Sequence, residues 1–264
     1  MTTATLTERI IARKEGAVGW LIFNNPERRN AISVDMWEAI PTVLSQYEAD
    51  PEVRAIVLAG AGDKAFVSGA DISQFEKERS SADAVQRYEE LAEGAAARLQ
   101  GCDKPLIAMI RGYCLGGGMN IAVLCDIRIA ADDARFGIPA AKMGLGYRAS
   151  SMKNLVDVVG AAYAREIMIT ARQFTANEAR EMGLVNKVTA KENLESAVKE
   201  YTDAISANAP LTMRTAKRII REIGMVDYDA AKCRAWAKEC FESEDYREGR
   251  KAFMEKRKPV FKGR

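Results

Sequence analysis

Residues 106–120, Leu-Ile-Ala-Met-Ile-Arg-Gly-Tyr-Cys-Leu-Gly-Gly-Gly-Met-Asn, predict a buried strand that turns through glycines into a helix. The apolar run Leu106–Ile110 is typical of a strand that is covered on both faces. Glycine lets the backbone approach a ligand that a Cβ atom would block. The first N–H groups of a helix have no partner within it, and the helix dipole adds positive charge there. This junction therefore suits an oxygen atom that carries negative charge.

A second strand end upstream also runs into a glycine turn. Residues 66–72 read Phe-Val-Ser-Gly-Ala-Asp-Ile, and the turn falls at Gly69-Ala70. Two such turns predict two N–H groups that point at one position. That arrangement is an oxyanion hole, which stabilises the negative charge that develops on a carbonyl oxygen. One strand–glycine–helix junction is more often a place of close packing, so the hypothesis depends on the pair.

Together the two segments resemble the crotonase (enoyl-CoA hydratase/isomerase) superfamily, and the similarity extends over nearly the whole chain. Its further parts are Cys125–Ala130, Phe136–Pro139, Thr170–Arg172, Gly183–Asn186 and Phe253–Lys258. The resemblance implies an α/β fold, a crotonase-like spiral of ββα units with a C-terminal helical trimerisation region. We expect residues 1–200 to form the spiral core and residues 201–264 the helical region. In this family the oxyanion donors correspond to the N–H groups of Ala70 and Gly117.

The composition of the 264 residues bounds the partners and the compartment. Lys plus Arg number 39 against 37 for Asp plus Glu, so no strong field favours nucleic acid or an anionic membrane. No apolar run approaches the roughly 20 residues that span a bilayer, and Met1–Arg9 lacks the apolar core of a secretory signal. Five cysteines without a C-x-x-C pair predict reduced thiols. We therefore expect a cytoplasmic protein without nucleic-acid or membrane partners.

Histidine is absent from the sequence. Its absence excludes Ser–His and Cys–His nucleophile pairs and histidine zinc sites. Acid–base chemistry then depends on carboxylates, Tyr, Lys, Cys or bound water. We predict no metal site and no separate cofactor. Coenzyme A enters as part of the acyl-CoA thioester substrate that the family resemblance implies.

Hydrophobic periodicity predicts alternating short strands and helices, followed by a helical C-terminal part. Ile10–Arg13 and Val18–Phe23 flank a Lys-Glu-Gly turn and predict a hairpin. Ser33 is expected to cap a helix that ends near Tyr47. Further predicted strands are Val53–Ala59, Leu106–Ile110, Ile127–Ala130 and Lys187–Val188, and further predicted helices are residues 82–100, 194–207, 210–222, 228–241 and 246–256.

Three positions lack the carboxylate that the resemblance leads one to expect. Hydratases of the family use two glutamates, and the matching positions here are Asn120 and Ala140. Some isomerases and dehalogenases use an aspartate at the position that matches Arg148. An asparagine amide does not titrate usefully, so Asn120 cannot replace a general base. The sequence therefore argues against plain syn-hydration.

The segments 144–147 and 152–155 are also similar to methylmalonyl-CoA decarboxylases, in which a tyrosine at the position of Tyr147 helps to hold the substrate carboxylate. Decarboxylation needs no base, but it needs a stabilised enolate oxygen and a fixed carboxylate. Tyr147 and Asn120 are the candidates to fix that carboxylate. Arg148 either attracts it or recognises an acid elsewhere on the acyl chain, because tight ground-state binding of the departing carboxylate opposes reaction.

Recognition of coenzyme A is expected from both ends of the chain. Arg28 and Arg29 match the family's contacts to the nucleotide, where cations suit phosphate groups. Phe253 and Lys256 share a helix face and match residues that close over the nucleotide, sometimes from a neighbouring subunit. The resemblance implies a homotrimer or a dimer of trimers. It also implies substrate contacts by Ala31, Ser68, Asp71, Ile72, Ala140 and Arg148.

Each assignment has a structural alternative. Tyr147 is explained equally well as a packed tyrosine. A loop arginine such as Arg148 is most often solvated, and Asn120 can simply bond to backbone groups, but we favour a site role for Arg148 slightly and a pocket location for Asn120, whose family counterpart lies in the pocket. For the whole chain, the alternatives to an enolate-stabilising acyl-CoA enzyme are two. One is a malonyl-type decarboxylase or another non-hydratase lyase or hydrolase, and the other is a non-catalytic acyl-CoA-binding protein. A nucleotide-phosphate domain is excluded because G-x-G-x-x-G and G-x-x-x-x-G-K-[ST] are absent.

Overall fold

The chain repeats a strand–strand–helix unit whose first strands join one sheet and whose second strands join another. The computed structural model describes residues 7–71 and 82–264. The first strands β3 (Ala55–Gly60), β5 (Leu106–Ile110) and β7 (Ile127–Ala131) pair in parallel, as do the second strands β4 (Ala65–Val67), β6 (Tyr113–Leu115) and β8 (Arg135–Gly137). This arrangement confirms the predicted spiral of ββα units.

The remaining strands extend both sheets at their edges. The six-stranded sheet has the order β1-β2-β3-β5-β7-β10, and the four-stranded sheet has the order β4-β6-β8-β9. The predicted hairpin is present, because β1 (Ile10–Glu15) pairs antiparallel with β2 (Val18–Phe23). Strand β9 (Phe174–Thr175) is antiparallel to β8, and β10 (Lys187–Thr189) is parallel to β7.

Helices cover the sheets and make up the C-terminal part. In the described residues they are α1 (Val34–Ala49), α2 (Ala82–Gly101), α3 (Gly117–Leu124), α4 (Ala149–Thr170), α5 (Ala176–Glu181), α6 (Leu194–Ala207), α7 (Pro210–Ile223), α8 (Ala230–Glu242) and α9 (Glu244–Met254). Helix α4 is interrupted at Gly160, where φ is 73° and ψ is 165°. In the described part of the chain, none of these helices is both long enough and apolar enough to cross a bilayer.

Two apolar clusters lie on opposite faces of the six-stranded sheet. The larger one packs between the sheets and holds the fully buried phenylalanines Phe23, Phe66, Phe136 and Phe174. The smaller one packs against α6. Strand β3 serves both, with Ile56 and Leu58 in the larger cluster and Val57 and Ala59 in the smaller. Burial on both faces explains why the central strands are continuous apolar runs.

Two expectations differ in detail from the structure. Ser33 lies at the N-cap of α1, but its hydroxyl makes no capping bond and donates instead to the Asp35 carboxylate. The short strands β6 and β8 were not predicted as separate elements, because runs of three residues carry too little periodicity. The domain boundary expected at residues 200/201 stays a prediction; it coincides with a position inside α6, whose Leu194 and Val198 pack on the sheet.

Candidate active site

The two glycine turns lie against each other at the ends of β4 and β6. Gly69 has φ 115° and Gly116 has φ 50°, a region that favours glycine at both positions. A Cβ atom on Gly117 would lie 3.9 Å from the Ala70 nitrogen. The strands are neighbours in the four-stranded sheet, so their carboxyl ends meet at one edge.

Neighbouring backbone groups hold both turns in place. The Ile32 N–H donates to the Gly69 carbonyl (2.8 Å), and the Asp71 N–H donates to the Ile32 carbonyl (2.9 Å). The Gly116 N–H donates to the Gly137 carbonyl at 2.9 Å. Within residues 7–71 and 82–264, the N–H groups of Ala70 and Gly117 make no hydrogen bond. These two donors remain available to a ligand.

Gly118, the second residue of α3, and Gly112, which precedes β6, have no room for a side chain. A Cβ atom on Gly118 would lie 2.1 Å from the Val67 carbonyl oxygen, and one on Gly112 would lie 2.0 Å from the Lys64 carbonyl oxygen. Both distances are far below van der Waals contact, so glycine is required at each position. The close approach presses the first turn of α3 against β4 and fixes the relative position of the two available N–H groups.

Asn120 and Tyr147 form a hydrogen-bonded pair beside these turns. Asn120 lies three residues after Gly117 in α3 and therefore on the same side of the helix. The Tyr147 hydroxyl donates to Asn120 Oδ1 at 2.8 Å. Burial raises the pKa of Tyr147 to about 12, so the hydroxyl stays protonated at neutral pH. The bond occupies Oδ1 and leaves the Nδ2 donors of Asn120 for other partners.

Arg148 begins α4 but reaches across to α2. Its Nη1 donates to the Glu89 carbonyl at 3.1 Å and lies 3.6 Å from the Glu93 carboxylate. Arg148, Glu93 and Asn120 line a cavity of about 270 Å³ between α2, α3 and the start of α4. Arg148 is the cation and Glu93 the carboxylate among the described residues that line this cavity.

The basic loop before α1 contacts the first glycine turn. Arg28 Nη1 lies 3.1 Å from a carboxylate oxygen of the buried Asp71, and the Ser68 hydroxyl donates to the Arg28 carbonyl at 3.3 Å. The Arg29 guanidinium lies over the Tyr113 ring at 5.0 Å. Arg28 therefore ties its own loop to the turn, in addition to any contact it makes with a phosphate.

The structure brings together most, but not all, of the predicted site residues. Ala31 is buried beside the basic loop, and Ala140 is buried at the start of the turn that leads to Tyr147. Phe253 is 82% exposed and lines a separate cavity of about 630 Å³ among the C-terminal helices. Lys256 is also exposed, but it lies beyond the end of α9 with φ 54°, so the prediction that the two residues share a helix face is wrong. Ile72 lies outside the described residues.

Sequence reasoning missed the contribution of α2. The cavity-lining residues of this helix are Ala92, Glu93, Ala96, Ala97 and Gln100. Their spacing of three and four places them on one helix face, which is the available signal. That signal indicates a buried or cavity-facing stripe, but it does not say which element the stripe meets.

Comparisons with known proteins identify the family of the chain. Residues 13–264 match the model of the enoyl-CoA hydratase/isomerase family. The short-chain-enoyl-CoA hydratase of Clostridium acetobutylicum is 38% identical over 252 residues, which are 94% of this chain and 95% of the relative. The peroxisomal Delta(3,5)-Delta(2,4)-dienoyl-CoA isomerase of Arabidopsis thaliana is 33% identical, and the match covers 99% of each protein.

Solved structures of proteins from the same family are also similar to this chain. A crystal structure of an enoyl-CoA hydratase/carnithine racemase from Magnetospirillum magneticum has a TM-score of 0.92 and 33% identity, and the match covers 98% of this chain and 97% of the other. An enoyl-CoA hydratase/isomerase family protein from Hyphomonas neptunium has a TM-score of 0.94 and 34% identity, with 98% and 100% coverage. This chain therefore belongs to the enoyl-CoA hydratase/isomerase family.

Proposed function

We propose that the protein is an acyl-CoA enzyme that stabilises a thioester enolate with the N–H groups of Ala70 and Gly117. The observation that carries this proposal is the contact between two glycine turns, each with an N–H group that bonds to no other described residue. Negative charge grows on the thioester oxygen as the enolate forms. Two fixed donors, one of them at the start of α3, oppose that charge without having to reorganise.

Replacing Gly117 by proline tests this assignment directly. Gly117 is the first residue of α3, where proline fits a helix but supplies no N–H group. We expect Gly117→Pro to lower kcat by roughly 10²-fold. Gly117→Ala is the matched control, because it adds a Cβ atom but keeps the donor. Equal kcat values for the two folded variants would contradict the oxyanion assignment.

The reaction itself is inferred from the groups beside these donors. Asn120 and Ala140 occupy the positions of the two hydratase glutamates in the family pattern, and Arg148 occupies a third carboxylate position. The pair nearest the donors, Asn120 and the protonated Tyr147, is neutral. A neutral pair suits a reaction that starts without proton abstraction. This observation favours decarboxylation of a malonyl-type thioester as the second candidate function.

Mass spectrometry with crotonyl-CoA and, separately, methylmalonyl-CoA distinguishes the reactions. A gain of water on crotonyl-CoA would mean that hydration proceeds without the two glutamates. Loss of CO₂ from methylmalonyl-CoA is the result expected for a decarboxylase. Tyr147→Phe should then slow decarboxylation by at least about tenfold while the affinity for coenzyme A stays unchanged. Tight binding of thioesters without any product from a broad panel would favour a non-catalytic acyl-CoA-binding protein.

The proposal extends to coenzyme A binding and assembly. Arg28 and Arg29 are the candidates for phosphate contacts, and Phe253 and Lys256 for contacts with the nucleotide. Phe253 is largely exposed and lines a cavity away from the glycine turns, which supports a role towards a neighbouring subunit. Exposed apolar side chains on the C-terminal helices support a homotrimer or a dimer of trimers.

A further inference from the structure

The cavity between α2, α3 and α4 lies on the side of α3 that also carries Gly117. Asn120 and Leu124 line it; Asn120 lies three residues after Gly117 and Leu124 four residues after Asn120, which places all three on one helix face. The acyl carbons of a thioester whose oxygen is held by Ala70 and Gly117 can therefore extend towards this space. At about 270 Å³ the cavity holds a short acyl group rather than a long chain.

The lining of this cavity includes both apolar and polar residues. Ala92, Ala96, Val123 and Leu124 supply an apolar surface for methylene groups. Polar groups line the rest, namely Glu93, Gln100, Arg148, Ser150, Ser151 and Asn154. A purely hydrocarbon acyl tail would displace water from these polar groups without replacing its hydrogen bonds, which costs free energy. A chain that ends in a polar group matches both surfaces.

Arg148 determines which charge is favoured on the polar end of the acyl chain. Its guanidinium offers five N–H donors, yet among the described residues it makes one hydrogen bond, to the Glu89 carbonyl. The Glu93 carboxylate lies 3.6 Å away, which is longer than a charge-assisted hydrogen bond. The ion pair between Arg148 and Glu93 is therefore weak, and the guanidinium of Arg148 has N–H donors left to bind a second carboxylate.

The position of Arg148 in the chain supports a role other than helix stability. Arg148 is the N-cap of α4, where its side chain makes no capping bond. A cation there opposes the helix dipole, and capping residues such as Ser or Asp are preferred. The guanidinium and the helix dipole instead both favour a negatively charged group at this end of the cavity, next to Ser150.

We propose that this cavity takes an acyl group with a second, terminal carboxylate, which Arg148 binds in place of Glu93. The substrate class is thus the monothioesters of short dicarboxylic acids. The inference rests on the proposed acyl-CoA function and specifies its substrate. The terminal carboxylate is distinct from a carboxylate on the α-carbon, which would lie beside Tyr147.

The experiment compares two saturated thioesters of equal chain length, glutaryl-CoA and valeryl-CoA, by isothermal titration calorimetry with the full-length protein. Both carry the same coenzyme A and differ in a terminal carboxylate against a terminal methyl group. We expect the wild type to bind glutaryl-CoA about tenfold more tightly or better. Arg148→Gln should remove that preference and leave the Kd for valeryl-CoA within about twofold of the wild-type value.

Glu93→Gln, at a partly exposed position of α2, is expected to have the opposite effect on the affinity for glutaryl-CoA. Removing the competing carboxylate should tighten glutaryl-CoA binding further and leave valeryl-CoA binding unchanged. Arg87→Gln is the matched control, because Arg87 lies on the same helix but pairs with Glu38. It should keep the wild-type preference.

Three outcomes would overturn the inference. Equal wild-type affinities for the two thioesters would show that the cavity does not bind the terminal carboxylate in preference to a methyl group. An unchanged preference in Arg148→Gln would show that Arg148 only ties α4 to α2. Binding of neither thioester would overturn the acyl-CoA function as well, whereas binding of both without preference would leave that function intact.

Discussion

The start of α3 is packed too tightly for one added methyl group, whereas the C-terminal helices expose large apolar side chains. At the start of α3, Gly118 cannot accept a single methyl group, because the Val67 carbonyl fills the space. In the C-terminal helices and in the connection between α7 and α8, large apolar side chains face solvent. They include Ile220, Ile223, Met225, Val226, Phe241, Phe253 and Met254.

The attachment of the C-terminal helices explains this difference. Helix α7 contacts the core through polar groups, with Lys217 Nζ 2.6 Å from an Asp126 carboxylate oxygen and Arg218 Nε 2.8 Å from an Asp103 carboxylate oxygen. Partly exposed ion pairs contribute little to stability. The candidate site is thus fixed by packing within one chain, whereas the C-terminal helices leave apolar side chains exposed in the single chain.

The largest predicted effect is on the free energy of unfolding, at the tightly packed start of α3. Gly118→Ala should lower the free energy of unfolding by about 3 kcal/mol or more, because the new Cβ atom meets backbone that cannot move aside. Gly117→Ala, one residue earlier, finds its nearest contact at 3.6 Å and should change stability by less than about 1 kcal/mol. Urea unfolding of both variants measures the difference. Similar midpoints would contradict the packing argument.

A charge on the exposed apolar surface should act on assembly rather than on folding. Ile220 is 67% exposed and Val226 is 99% exposed in the single chain. We expect Ile220→Lys with Val226→Lys to shift the protein towards monomer in analytical ultracentrifugation. The unfolding free energy of the monomer should change by less than about 0.5 kcal/mol. Ser196→Lys, on the exposed side of α6, is the control and should leave the assembly intact. A wild-type monomer would contradict the expectation.

The smallest effect concerns a partly exposed polar contact at the start of α5. The Thr175 N–H and Arg172 hold the pKa of Glu178 at about 2, below its ordinary value of 4.5. The stabilisation is therefore complete above about pH 4.5 and is lost as the pH falls towards 2. The stability difference between wild type and Glu178→Gln should shrink as the pH falls from about 6 to about 3.

Glu181→Gln serves as the control for this measurement. Glu181 ends the same helix and makes no ion pair with the described residues. Its substitution should leave the pH dependence of stability as in the wild type. A difference between wild type and Glu178→Gln that stays constant over this pH range would contradict the assigned role of Glu178.

The sequence predicts the parts of the molecule that depend on local pattern. The strand Leu106–Ile110 and the hairpin before α1 follow from apolar runs and turn residues, and the structure confirms both. The direction of the Arg148 side chain does not follow, because it is set by Glu89 and Glu93 on a helix far away in sequence. The failed cap at Ser33 has the same cause on a smaller scale, since the Asp35 carboxylate competes for its hydroxyl.

The alternation of strands between two sheets has a consequence for folding kinetics. The N–H groups of Ala70 and Gly117 come together through the parallel pairing of β4 with β6, and parallel strands of this kind require closure of a long intervening loop. Non-local pairing is slow because the entropy of loop closure is lost before the contacts form. We therefore expect the arrangement of these two N–H groups to return more slowly during refolding than helical structure, which forms on the microsecond timescale.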